Sequence, residues 1–149
     1  MDSYSANLGE PDASGEPESR QLIELALRCD ERAPRLARDA FDGVEELDGV
    51  RAVARLVVSE LVSNAVRHSG SAAGDLIQVH ASRRDGALAV SVTDGGFSDT
   101  TPRVRSVDDE KLGGLGLSIV ENLSARWGWR RTAEDRCLVW AELSLGSSD

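Results

Sequence analysis

Apolar residues recur at two spacings along this chain, and the switches between them mark its elements. Every second position lines one face of a strand, whereas every third or fourth lines one face of a helix. Leu22, Ile23, Leu25 and Leu27 predict a first strand. A helix is predicted over 31–44, with Pro34 in its first turn, where a missing N–H costs little. The next helix is predicted over 49–68 with Asp48 as its N-cap. Its apolar positions are Val53, Leu56, Val57, Leu61, Val62 and Ala65, and Gly70 and Gly74 end it. Two alternating runs, 76–83 and 87–93, flank Arg84-Asp85-Gly86, and Asp-Gly between apolar runs signals a hairpin. Residues 95–112 are polar and irregular, the length of a functional lid. A helix over 114–126 and strands over 127–132 and 137–143 complete the pattern, the two strands as a closing hairpin.

This order predicts an α/β (α+β) two-layer sandwich, a mostly antiparallel mixed sheet covered on one face by three helices. One domain is expected over 20–145. Residues 1–19, rich in Ser, Gly, Pro, Asp and Glu, bury too little apolar surface to fold and are expected to be a disordered tail, with 146–149 as a second tail. There is no internal repeat.

Composition narrows the partners. A formal net charge of -9 repels nucleic acid and anionic membranes, so neither is expected, although a local basic pocket for a nucleotide is compatible with it. Cys29 and Cys137 are too far apart for a zinc motif, do not complete a metal set with His68 and His80, and read as small buried residues. No stretch reaches the length of a membrane helix and no apolar signal core is present, which predicts a cytoplasmic protein.

The chemistry concentrates in one helix and two glycine boxes. Val53, Leu56, Val57, Glu60, Asn64, Arg67 and His68 share one stripe that is aliphatic at first and then polar. Such a stripe describes a helix whose far end lines a polar pocket next to the core. An isolated E-x-x-x-N pair is more often a solvated face, so the boxes carry the weight. Asn64 can give magnesium an oxygen without adding negative charge beside a phosphate. Glu60 can act as general base toward a hydroxyl or a water, and Arg67 can neutralise phosphate charge. Asp94 ends an apolar strand and precedes Gly95 and Gly96. Its carboxylate can accept a hydrogen bond from the exocyclic amine of adenine, and Gly96 lets a base lie against bare backbone. A plain turn would also read D-G-G. Gly113, Gly114 and Gly116 open a helix whose N–H groups can meet phosphate; a hinge would look the same in isolation.

Competing nucleotide motifs are absent. Lys111, the only lysine, lies between Glu110 and Leu112, so there is no P-loop. Ile119 stands where the dinucleotide fingerprint needs its third glycine. The strand lysine and H-R-D loop of eukaryotic-type kinases are also missing.

The boxes, their order and the sandwich resemble the GHKL (Bergerat-fold) ATPase superfamily. Within it, segments such as A-R-L-V-V-S-E-L-V-S-N-A-V-R-H and V-W-A-E-L are similar to the small bacterial anti-sigma-factor serine/threonine kinases. The resemblance covers about residues 20–145. It implies ATP and magnesium as cofactors, with Glu60 as catalytic base and Asn64 as magnesium ligand. Arg67 and His68 would lie at the nucleotide. Asp94 would hold adenine, Gly96 would pack on it, and Gly113, Gly114, Leu115, Gly116 and Leu117 would border lid and phosphates. It further implies an anti-sigma-factor antagonist and a sigma factor as partners, often with a homodimer. Two positions depart from the family: Ser98 stands where a second glycine of D-x-G-x-G is usual, and Leu138 takes the place of a threonine that supports adenine recognition.

The leading reading is an anti-sigma regulator that phosphorylates the antagonist on serine. A nucleotide-gated partner-binding module without transfer is the alternative, favoured by Ser98 and Leu138. A histidine kinase acting in trans is third, because His68 and His80 both fall inside the domain.

Overall fold

A computed structural model describes residues 19–68, 75–94, 115–134 and 136–145. Residues 1–18 of the predicted tail 1–19, the segment 146–149, Gly70, Gly74, the lid 95–112 with Gly96 and Ser98, and Gly113 and Gly114 lie outside these residues.

The chain forms β1 (Arg20–Arg28), α1 (Ala33–Asp42), a 3-10 turn (Glu45–Leu47), α2 (Arg51–His68), β2 (Leu76–Arg84), β3 (Ala87–Thr93), α3 (Leu115–Leu123), β4 (Arg126–Arg131) and β5 (Cys137–Ser144). The strands make one five-stranded sheet in the order β1-β2-β3-β5-β4. Among the described residues every pairing is antiparallel, where the sequence predicts a mostly antiparallel mixed sheet. Among the described residues no helix is long and apolar enough to cross a membrane.

Alternation sets which face each strand buries. Ile77, Val79 and Ala81 of β2, Leu88, Val90 and Val92 of β3, and Val139, Ala141 and Leu143 of β5 are all buried in the core. The ladder stacks them in rows, Val79 beside Val92 beside Val139 and Ala81 beside Val90 beside Ala141. Ala33, Ala37 and Phe41 of α1, Ala54, Val57, Val58, Leu61, Val62 and Ala65 of α2, and Leu117 and Val120 of α3 close the same core. Trp127 and Trp129 pack partly buried against it, and Trp140 is fully buried. The β2–β3 turn is as predicted: Asp85 (φ 50°) and Gly86 (φ 78°) both take positive φ, which a two-residue hairpin turn needs.

Two local expectations are corrected. Asp48 does not begin α2; the 3-10 turn precedes it, and the Asp48 carboxylate accepts a hydrogen bond from the Arg51 guanidinium at 3.0 Å. Leu56, expected among the apolar contacts, is 41% exposed, because it lies well round the helix from the Ala54–Val58–Leu61–Ala65 face.

Candidate functional site

The ends of β1, β2, β3 and β5 lie together at one end of the sheet. β1 leaves at Cys29, whose N–H donates to the Asp75 carbonyl at 2.8 Å just before β2 begins. Antiparallel pairing of β2 with β3 sets the start of β2 beside the end of β3, with Gln78 opposite Thr93. Asp94 follows Thr93, and its N–H donates to the Cys137 carbonyl at 3.0 Å, at the start of β5. The carboxyl end of α2 leads toward this end of the sheet, since residues 69–74 connect His68 to Asp75.

Asp94 continues the alternation of Leu88, Val90 and Val92, so it lies on the helix-covered side, and it is 5% exposed. A buried carboxylate is costly unless partnered, which makes this strand end a place where polar chemistry is built into an apolar core. Asp94 is held through its backbone from both sides. Its N–H is bonded to Cys137, and its carbonyl accepts a hydrogen bond from an Arg136 guanidinium nitrogen at 3.3 Å.

The second half of α2 supplies the other polar groups. Asn64 is 9% exposed, Glu60 is half-buried and Arg67 is exposed. These positions run along a flank of the buried face: Val57 and Asn64 are buried, Val53 and Glu60 half-buried, and Leu56 and Arg67 exposed. His68 is the last residue of α2. Leu115, Gly116 and Leu117 open α3. Leu117 is 1% exposed, so its side chain belongs to the core and only its backbone faces any ligand. The first N–H groups of that helix have no partner within it, as at any helix start, and are oriented to meet an anion. Of the predicted site residues, then, Glu60, Asn64, Arg67 and His68 lie on the second half of α2, and Asp94 follows the end of β3. Leu115–Leu117 start the helix that follows the undescribed 95–114 segment.

The thiols of this end were read in the sequence only as buried cysteines, and so they are, both free. Their placement is more informative. Burial first, and the Asp94 charge second, push the Cys137 thiol up to about 12, while Arg131 opposes the rise. Burial and then Asp94, Asp75 and Asp30 push Cys29 up as well. Both thiols are therefore close enough to Asp94 to feel its charge and stay protonated near neutrality. This corrects the expectation for Leu138. Leu138 points to the opposite face from Val139, Ala141 and Leu143, and Cys137 is the β5 residue beside Asp94. Extending the period-2 pattern of β5 backward by one residue would have found it; counting from the resemblance did not. Arg136 gave no sequence signal beyond its position before that strand.

Magnesium shares its oxygen ligands with phosphates and water, so one neutral amide oxygen suffices from the protein. Asn64, buried one turn from Glu60, fits that role. Among the described residues no group of three or more His, Cys, Asp or Glu could hold a metal ion.

A sequence model of the histidine kinase-like ATPase domain matches residues 17–141. No curated protein matches the chain. The match spans β1 through most of β5 and every described residue of the site, and the chain belongs to the histidine kinase-like ATPase family.

Proposed function

We propose that this member of the histidine kinase-like ATPase family is an anti-sigma regulator that uses ATP and magnesium to phosphorylate a serine on an anti-sigma-factor antagonist. Membership of an ATPase family implies ATP binding. The observation that supports the finer reading is a carboxylate one turn before a buried amide on α2, together with a buried Asp94 at the end of β3.

In this reading Asp94 accepts a hydrogen bond from the exocyclic amine of adenine, which selects against guanine, whose carbonyl would face the carboxylate. The first-turn N–H groups of α3, at Leu115, Gly116 and Leu117, meet phosphate oxygens. Asn64 offers its side-chain oxygen to magnesium, which neutralises charge on the phosphates, and Arg67 adds positive charge nearby. Glu60 takes the proton from the incoming serine hydroxyl. The serine oxygen bonds to the γ-phosphorus as the bond from that phosphorus to the β–γ bridging oxygen breaks, and ADP leaves with the electron pair. The sigma factor is the second partner, the active species is a homodimer, and the compartment is the cytoplasm.

A nucleotide-gated module that binds partners without transfer is favoured by one observation. The β5 group beside Asp94 is a thiol, a weak hydrogen-bond donor, so it supports base binding less than a hydroxyl would. Incubating the full chain with γ-labelled ATP and candidate antagonists separates the two. Label on an antagonist serine supports the kinase; ATP binding with no transfer to any antagonist supports the module.

A further inference from the structure

We propose that Arg136 is a positioning residue of the nucleotide site, fixing the Asp94 end of β3 through the Asp94 carbonyl. The inference rests on the reading of Asp94 as the base-binding carboxylate.

The ladder gives Asp94 little support of its own. The last β3–β5 pair is Thr93 with Leu138, and the Asp94 N–H to Cys137 carbonyl bond, at 3.0 Å, closes that ladder. A strand end beyond its last ladder pair frays more readily than the strand interior. A carboxylate that selects a base must nevertheless keep one direction. Arg136 supplies a second tie across 42 residues of chain, donating from its guanidinium to the Asp94 carbonyl at 3.3 Å.

The donor is itself held. The Arg136 N–H donates to the Thr132 hydroxyl at 3.0 Å, and the Thr132 N–H donates to the Arg136 carbonyl at 2.8 Å. The β4–β5 turn is therefore closed at its base, and the half-buried guanidinium leaves it from a fixed backbone. Both backbone groups of Asp94 are thus bonded to consecutive residues, Arg136 and Cys137. Removing the guanidinium leaves the N–H bond in place, so the sheet survives while the residue gains freedom about it. Arg136 acts on the nucleotide through Asp94 and is not itself asked to touch it.

The test measures ADP and GDP affinity in the full chain for wild type, Arg136→Ala, Arg136→Lys and Asp94→Asn, and for Arg136→Ala combined with Asp94→Asn. Thermal midpoints and exchange of the Asp94 amide are read in parallel. Arg136→Ala is expected to weaken ADP binding about tenfold, the scale of one hydrogen bond from a charged donor. GDP binding should change little, so the preference for adenine narrows. Arg136→Lys should recover part of the loss, and Arg136→Ala should add almost nothing in the Asp94→Asn background. The Asp94 amide should exchange faster in Arg136→Ala at an unchanged midpoint. Unchanged ADP affinity in Arg136→Ala, or losses that simply add in the double variant, overturns the proposal. If wild type binds no nucleotide, the nucleotide reading fails by itself. Amide exchange then still decides the tie: faster exchange in Arg136→Ala upholds it, and unchanged exchange overturns it.

Discussion

The two halves of α2 use polar side chains in opposite ways. In the first half they fasten the helix to its neighbours. Arg51 donates to the carbonyls of Val44 at 2.5 Å and Phe41 at 3.4 Å and pairs with Asp48. Arg55 pairs with Asp42 and reaches the Arg38 carbonyl, and Arg38 returns a bond to the buried Ser59 hydroxyl at 2.7 Å. These bonds tie α2 to α1 and to the 3-10 turn. In the second half, beginning one residue after Ser59, the polar groups are Glu60, Asn64 and Arg67. Among the described residues none of these three is engaged in a side-chain hydrogen bond or ion pair. Polar groups near a core that are not spent on structure are the ones available to a ligand. One helix is thus anchored at one end and left chemically open at the other. Substitutions in the two halves should separate stability from nucleotide chemistry.

The sharpest way to break that comparison is at Glu60. Glu60→Ala should lower phosphotransfer by about 10²–10⁴-fold, the usual worth of a general base, with ATP affinity and thermal midpoint close to wild type. A fall in stability of the same size as the Arg51 variant below would place Glu60 on the structural side instead. Asn64→Ala comes next. It should remove the magnesium-dependent part of ATP affinity, on the order of tenfold or more, and leave magnesium-free binding unchanged in the same titration.

Arg51→Ala is the counterpart in the first half. Losing two carbonyl partners and Asp48 should destabilise the fold by about 2 kcal/mol in denaturant unfolding, while nucleotide affinity of the folded protein stays constant. Arg55→Ala should do less, about 0.5–1 kcal/mol, because Asp42 is largely exposed.

Near neutral pH the smallest contrast is at the strand end, where a pH dependence emerges only in alkali. The Cys137 thiol sits at about 12 in the fold against an ordinary 9.0, so the folded state holds its proton more tightly than the unfolded chain. Its contribution is therefore complete below pH 9 and is lost as pH rises from 9 toward 12. Unfolding free energy should fall by about 1 kcal/mol per pH unit in that window, and the slope should shrink in Cys137→Ala.

Much of this architecture is legible in the chain because alternation and helical spacing report burial directly. The Asp85-Gly86 turn, the β3 span and the order of elements follow from it. The misplacements occur where a single residue has two uses. Asp48 has the chemistry of a helix cap but bonds Arg51, and Leu56 is apolar yet lies off the packed face. At the site, Glu60, Asn64 and Asp94 could be singled out because a polar residue interrupting an apolar period is visible in sequence. That Asp94 lies beside the start of β2, the strand that follows α2 in the chain, depends on the β2–β3 pairing. The neighbours of Asp94 were not legible: Cys137 requires the β3–β5 register, and Arg136 requires a tertiary hydrogen bond that no spacing encodes.

The central claim, a nucleotide site between the open half of α2 and Asp94, is tested most directly by calorimetric titration of the full chain with ATP, with and without magnesium. The account predicts saturable binding that tightens with magnesium. Absence of any binding at millimolar ATP in either condition would contradict it.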